Sequence, residues 1–156
     1  MNRQSLIIRG VILIFIGVIL LIFQIYRLKG DNDDTIKDKI QIIVNENILD
    51  VELENNSSTK EFIKKLKEKD LIIEMHDYGN FEKVGDLGFT LTKNDRNLRA
   101  EAGDLILYQG NQITLYYDTN SWTLTKLGHV NKTKEELLDI LGEGDVTMTF
   151  TIVMEE

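Results

Sequence analysis

Two histidines, His76 and His129, are the only imidazoles in the chain, and there is no cysteine. A hydroxyl nucleophile needs a base beside it, so such chemistry would have to recruit one of these two rings. His76 falls inside the alternating run Leu71 to Tyr78, on the same face as Glu74 and Tyr78. That is the setting of a satisfied or solvent-facing strand histidine rather than of a catalytic triad. With Glu74, Asp77 or Asp118 the histidines could be drawn as a metal site, yet there is no i, i+4 pair and no close-spaced ligand set. The lack of Cys removes disulfides, thiolate zinc sites and cysteine nucleophiles together. Asp31-Asn32-Asp33-Asp34 opens like a calcium loop, but the positions that need Gly and a bidentate Glu are Ile36 and Ile42. Gly142-x-Gly144 stands between a helical and a strand pattern, the wrong order for a phosphate loop, and reads as a turn. The sequence nominates no catalytic residue, no metal ligand and no cofactor.

The aromatic residues carry more information. Tyr108, Tyr116, Tyr117 and Trp122 gather along one hairpin and its exit. Tyr116 and Tyr117 are adjacent in a strand, so they point to opposite faces and only one can enter an interior. Aromatic side chains with polar tips suit a peptide or small-ligand groove, although core packing accounts for them equally well. The expected groove is lined by Met75, Tyr78, Tyr108 and Trp122.

Strands and two short helices must position these residues. Ile40, Ile42 and Val44 alternate with polar neighbours, as do Leu49, Val51 and Leu53, which gives two strands around a tight turn at Glu46-Asn47. Ser58 with Glu61 has capping-box spacing ahead of the stripe Phe62, Ile63 and Leu66. Leu71 to Tyr78 is a strand closed by Gly79-Asn80, and the polar stretch from Thr92 to Gly103 reads as a long surface loop. Gly110-Asn111 marks a hairpin. Thr133 with Glu136 caps a second helix carrying Leu137, Leu138 and Leu141 and stopped by Gly142. Val146, Met148, Phe150 and Ile152 form the last alternating strand. Many short strands with two helices point to a mainly β domain, a closed barrel or rolled sheet.

Ahead of this domain the residues from Leu6 to Tyr26 are almost all Ile, Leu, Val, Phe and Gly, with no charge from Gly10 to Phe23. A helix of that length spans the ~30 Å hydrocarbon layer, and its lack of a polar face fits lipid rather than a small core. No small-x-small site follows it, so a retained single-pass anchor is expected instead of a cleaved leader. The division is therefore an anchor at 1–29 with its transmembrane helix at about 6–26, an acidic spacer at 30–38 and a domain at 39–156. Arg3 and Arg9 on the N-terminal side favour a cytoplasmic N-terminus and an extracytoplasmic C-terminal domain at the cell membrane. From residue 31 onward, 14 basic residues stand against all 26 acidic ones, a net charge of −12. Nucleic acid is thereby disfavoured as a partner, as is an anionic lipid surface.

The run Gly103-Asp104-Leu105-Ile106-Leu107-Tyr108, the turn Gly110-Asn111, Tyr116-Tyr117, Asn120-Ser121-Trp122 and Thr125-Lys126-Leu127-Gly128 together resemble the bacterial cyclophilin-like-fold family. Glu82-Lys83 with Gly85 and Leu87 fits the same pattern, and the resemblance runs from about Ile40 to Val153. It implies a closed eight-stranded barrel with two helices, and it implies that the Asn120-Ser121-Trp122 segment is part of the wall beside the pocket, with Trp122 partly buried and one edge open to the groove. It does not carry prolyl isomerase activity with it. True cyclophilins use an Arg, then Phe, Met and Gln leading into Gly-Gly-Asp-Phe, and none of Gly85-Asp86, Gly103-Asp104 or Gly144-Asp145 follows such a series. The resemblance therefore implies a non-catalytic peptide- or small-ligand-binding module. The alternative is a weak peptidyl-prolyl isomerase using Arg96 or Arg99, the only arginines beyond the membrane boundary.

Overall fold

The computed structural model describes residues 36–153. The expected anchor and most of the spacer lie outside the described residues. Among the described residues no helix is long and apolar enough to cross a membrane.

Alternation of apolar and polar residues builds nine strands: β1 Lys39–Val44, β2 Asn47–Leu53, β3 Leu71–Tyr78, β4 Glu82–Asp86, β5 Arg96–Ala100, β6 Asp104–Tyr108, β7 Gln112–Tyr116, β8 Asn120–His129 and β9 Val146–Val153. Two helices interrupt them, α1 Ser57–Glu68 between β2 and β3 and α2 Lys134–Leu141 between β8 and β9. The pairing order is β2-β1-β9-β3-β4-β7-β6-β8-β5, and a further β2–β8 pairing joins the sheet back on itself. Eight strands thus form a hydrogen-bonded ring, with β5 added along the outer part of β8. The β2–β8 contact is short, Glu52 opposite His129 and Leu53 opposite Gly128. A side chain at Gly128 would sit 2.6 Å from Val51 Cγ1 and 2.7 Å from the Glu52 carbonyl oxygen, so only glycine lets the two backbones approach this closely.

One face of each strand turns inward. Ile40, Ile42, Ile73, Met75, Leu105, Leu107, Ile113, Leu115, Met148 and Phe150 belong to a single buried cluster, joined by Phe62, Ile63 and Leu66 of α1 and Leu137 and Leu141 of α2. Phe62 meets Phe150 edge-on at 6.0 Å. Burying each large apolar side chain in this way is worth about 1.5–3 kcal/mol, which is why the strands and helices hold together without a covalent staple. Leu138, expected on the buried stripe of α2, is exposed.

Four local expectations shift. The first hairpin turns at Asn45-Glu46, one residue earlier than expected, with both residues at positive φ (45° and 64°). Asn45 tolerates that conformation and donates its amide to the Ile140 carbonyl at 2.9 Å, fastening the turn to the end of α2. The β6–β7 hairpin likewise turns at Gln109-Gly110 rather than Gly110-Asn111, closed by Asn111 N donating to the Tyr108 carbonyl. The cap of α1 is Asn56, whose side chain accepts from Thr59 N. Glu61 does not complete a box with Ser58, because it accepts instead from the backbone N and hydroxyl of Thr92, both at 2.7 Å. Those bonds hold the Glu61 carboxyl below its ordinary value. Finally, the stretch read as one long loop contains β5, which pairs from Arg96 opposite Leu124 to Ala100 opposite Asn120. The second helix has the expected Thr133–Glu136 capping box and ends at Gly142.

Candidate functional site

The outward face of β4, β7, β6 and β8 carries a second, smaller apolar cluster of Ala100, Ile106, Tyr116 and Leu124, flanked by Phe81, Leu98 and Tyr108. Strand pairing explains why these residues meet. Glu82 lies opposite Tyr116, Val84 opposite Thr114, and Ile106 opposite Thr114 on its other side. Leu98 lies opposite Trp122 on the added strand. Residues two apart on each strand share a face, so Glu82 and Val84, Gln112 and Tyr116, and Asn120, Trp122 and Leu124 all line one cavity of about 360 Å³. Tyr78 and Phe81 close it from the β3–β4 turn, and Tyr108 from the end of β6. Its volume falls in the range of about 300–1,000 Å³ that small-molecule sites occupy.

Five aromatic rings shape the cavity. Phe81 stacks at a tilt on Tyr116 at 5.6 Å and receives Tyr78 edge-on at 6.0 Å. Tyr116 is buried and forms the floor, while Tyr78 and Trp122, each 61% exposed, form the rim. At the floor stands Glu82, only 8% exposed. Burial pushes its carboxyl above the ordinary glutamate value, and the nearby Thr114 and Tyr116 hydroxyls offset part of that rise. Thr114 Oγ1 is nonetheless buried without a hydrogen bond of ordinary length. Burial, and then the charge of Glu82, push the Tyr116 phenol upward in turn. No lysine, arginine or histidine among the described residues pairs with Glu82; the ion pairs of this domain lie elsewhere.

Of the four residues expected to line a groove, Tyr78, Tyr108 and Trp122 come together here. Met75 does not. Three positions separate it from Tyr78, an odd number in a period-two strand, so the two side chains point to opposite faces. Met75 is buried in the main core with its sulfur over Gly85, where a Cβ would come within 2.7 Å. Trp122, expected to be partly buried, is an exposed rim residue because its strand is covered on that side only by β5. Tyr116 and Tyr117 divide as adjacent strand residues must: Tyr116 enters the outer cavity and Tyr117 the main core. Asn120 joins Trp122 in the wall, as the resemblance implies, whereas Phe81 and Glu82 have no local signal that marks them as site residues. The strand signal ended at Tyr78, and only the register of β4 against β7 brings Glu82 under the ring of Tyr116.

The histidines stand apart from the cavity. His76 pairs with Asp145 at 2.9 Å on the surface. His129 Nδ1 lies 2.8 Å from the buried Asp104, which also holds Lys126 at 2.6 Å. Among the described residues no group of three His, Asp or Glu side chains is placed to hold a metal ion.

A nine-stranded, ring-paired sheet with two helices on one core, and an aromatic cavity on its outer face, defines a mainly β domain. The chain matches the model of the Cyclophilin-like family over residues 42–152, and it belongs to that family. A search of curated proteins found no match.

Proposed function

We propose that this protein is a membrane-tethered, extracytoplasmic binding module whose closed cyclophilin-like barrel presents the cavity between Tyr78, Tyr108 and Trp122 to a peptide or small molecule. The observation that carries this reading is the cavity itself: a concave, aromatic-lined site of about 360 Å³ with a buried carboxyl at its floor. Such a combination supplies contact area at low conformational cost and one fixed point for orientation. The uncharged apolar run from Gly10 to Phe23 supports the tether. A catalytic role draws no support from this site. Proline isomerisation requires a strong donor beside the proline, whereas Arg96 pairs with Glu54 at 3.7 Å and neither Arg96 nor Arg99 lines the cavity.

Trp122 is the sole tryptophan and stands on the rim, so its emission reports occupancy directly. Titration of the protein with peptides and small apolar ligands is expected to shift that emission, and Tyr108→Ala is expected to abolish the response while leaving the circular dichroism unchanged. A library that leaves Trp122 emission flat would remove the binding reading. For topology, protease added to intact cells is expected to digest the C-terminal domain and leave the apolar segment with the membrane. Full protection would overturn the orientation.

A further inference from the structure

The cavity floor presents an unusual balance of groups. A carboxylate that is 8% exposed in a water-poor site is ordinarily paired with a cation or replaced by an apolar residue. Glu82 has neither solution: rings, Val84, Leu124 and the amides of Gln112 and Asn120 line the cavity with it, and no basic side chain does. Burial of this kind works against the fold unless something outside the chain offsets it. Around Glu82 the aromatic rings of Phe81, Tyr108, Tyr116 and Trp122 line the same volume. An aromatic face is the negative end of a quadrupole and attracts a cation within about 6 Å of its centroid. The chain's net charge of −8 adds attraction of the same sign at longer range.

We propose, resting on the reading of this cavity as a ligand site, that its ligand carries an alkylammonium group, seated against the aromatic rings with its charge toward Glu82. The cavity is large enough for a trimethylated head group or for the end of a lysine side chain. Both sources share the recognised chemistry, a diffuse positive charge on an aliphatic body. A neutral ligand of the same shape fills the rings but leaves Glu82 unpaired, and an anion meets the buried carboxylate directly.

The test compares charged ligands with neutral isosteres on the full-length protein in maltoside micelles, read by Trp122 emission. Choline is set against 3,3-dimethylbutan-1-ol, and N-acetyl-lysine methylamide against N-acetyl-norleucine methylamide. Each cation is expected to bind at least about tenfold more tightly than its isostere. A larger preference with choline identifies a small quaternary ammonium compound as the source, and a larger preference with the lysine amide identifies a peptide side chain. Glu82→Gln is expected to erase the preference while the isosteres bind as before, and circular dichroism shows whether that variant is folded. The native-protein comparison stands even if it is not. Equal binding of cation and isostere overturns the alkylammonium assignment but leaves the cavity as a ligand site. No binding by any of the four overturns both.

Discussion

Lys83→Met is expected to lower the unfolding free energy by about 2–4 kcal/mol, because the buried cation of a part-buried ion pair is removed and its acceptors lose their donor. Lys83 takes an inward position on β4, and its side chain is 1% exposed. Its ammonium donates to Asp77 Oδ2 at 2.7 Å, to the Gly144 carbonyl at 2.6 Å and to the Gly142 carbonyl at 3.1 Å, which uses all three of its donors. Tyr117 donates its hydroxyl to the other carboxylate oxygen of Asp77 at 2.8 Å. Methionine fills the same space and satisfies none of these acceptors, so Asp77 keeps one donor and two carbonyls lose theirs. The carbonyls belong to the connection between α2 and β9, so faster hydrogen exchange is expected there before anywhere else. A urea midpoint that moves by less than about 1 kcal/mol at unchanged slope would mean that this network is not holding the connection.

The same site has a pH signature, and Glu82 has the opposite one. Burial alone would raise the Asp77 carboxyl, but hydrogen bonds from Lys83 and Tyr117, with the Lys83 charge, outweigh it and hold the group below 3.8. A carboxylate depressed in the folded state contributes stability that is present above its unfolded value and lost as pH falls through the folded one. Glu82 is raised above 4.5 by burial, so its contribution is fully present below 4.5 and lost as pH rises through its folded value. Glu82→Gln should therefore raise the melting temperature at pH 7–8 and lose that advantage toward pH 4. An equal gain at both pH values would mean that burial does not raise this carboxyl.

The fold was legible wherever a single periodicity ran undisturbed. Met148, Phe150 and Leu71, Ile73 alternate cleanly because one side of each strand meets the core and the other meets water, and hydrophobic patterning reports that difference. β5 was hidden for the complementary reason. Arg96-Asn97-Leu98-Arg99-Ala100 lies at the end of the sheet, packs only Leu98 and Ala100 against the smaller cluster, and so shows little apolar contrast. The site was half legible. Tyr78, Tyr108 and Trp122 advertise themselves by residue type, but their meeting depends on which strand pairs with which, a long-range fact that no local pattern contains. Glu82 illustrates this most plainly: next to Lys83 it looks like ordinary strand-edge charge, yet the pleat buries the two on opposite faces, one under aromatic rings and the other against Asp77.

Two aromatic truncations separate core from rim. Phe62→Ala is expected to cost about 3–5 kcal/mol, because the ring is fully buried and packs edge-on against Phe150, so its removal opens a cavity between α1 and β9 that the surrounding strands cannot collapse to fill. Trp122→Ala removes a larger ring but is expected to change stability by no more than about 0.5 kcal/mol, since 61% of that residue already faces solvent and its strand keeps its pairings with β5. The consequences for binding run the other way. Phe62→Ala should leave the affinity of the remaining folded molecules unchanged, whereas Trp122→Ala should weaken every ligand of the outer cavity, which isothermal titration can follow without the fluorophore. Were Trp122→Ala to unfold the domain at the denaturant concentration that unfolds Phe62→Ala, Trp122 would belong to the core, and the outer face of β8 could not be the wall of a site.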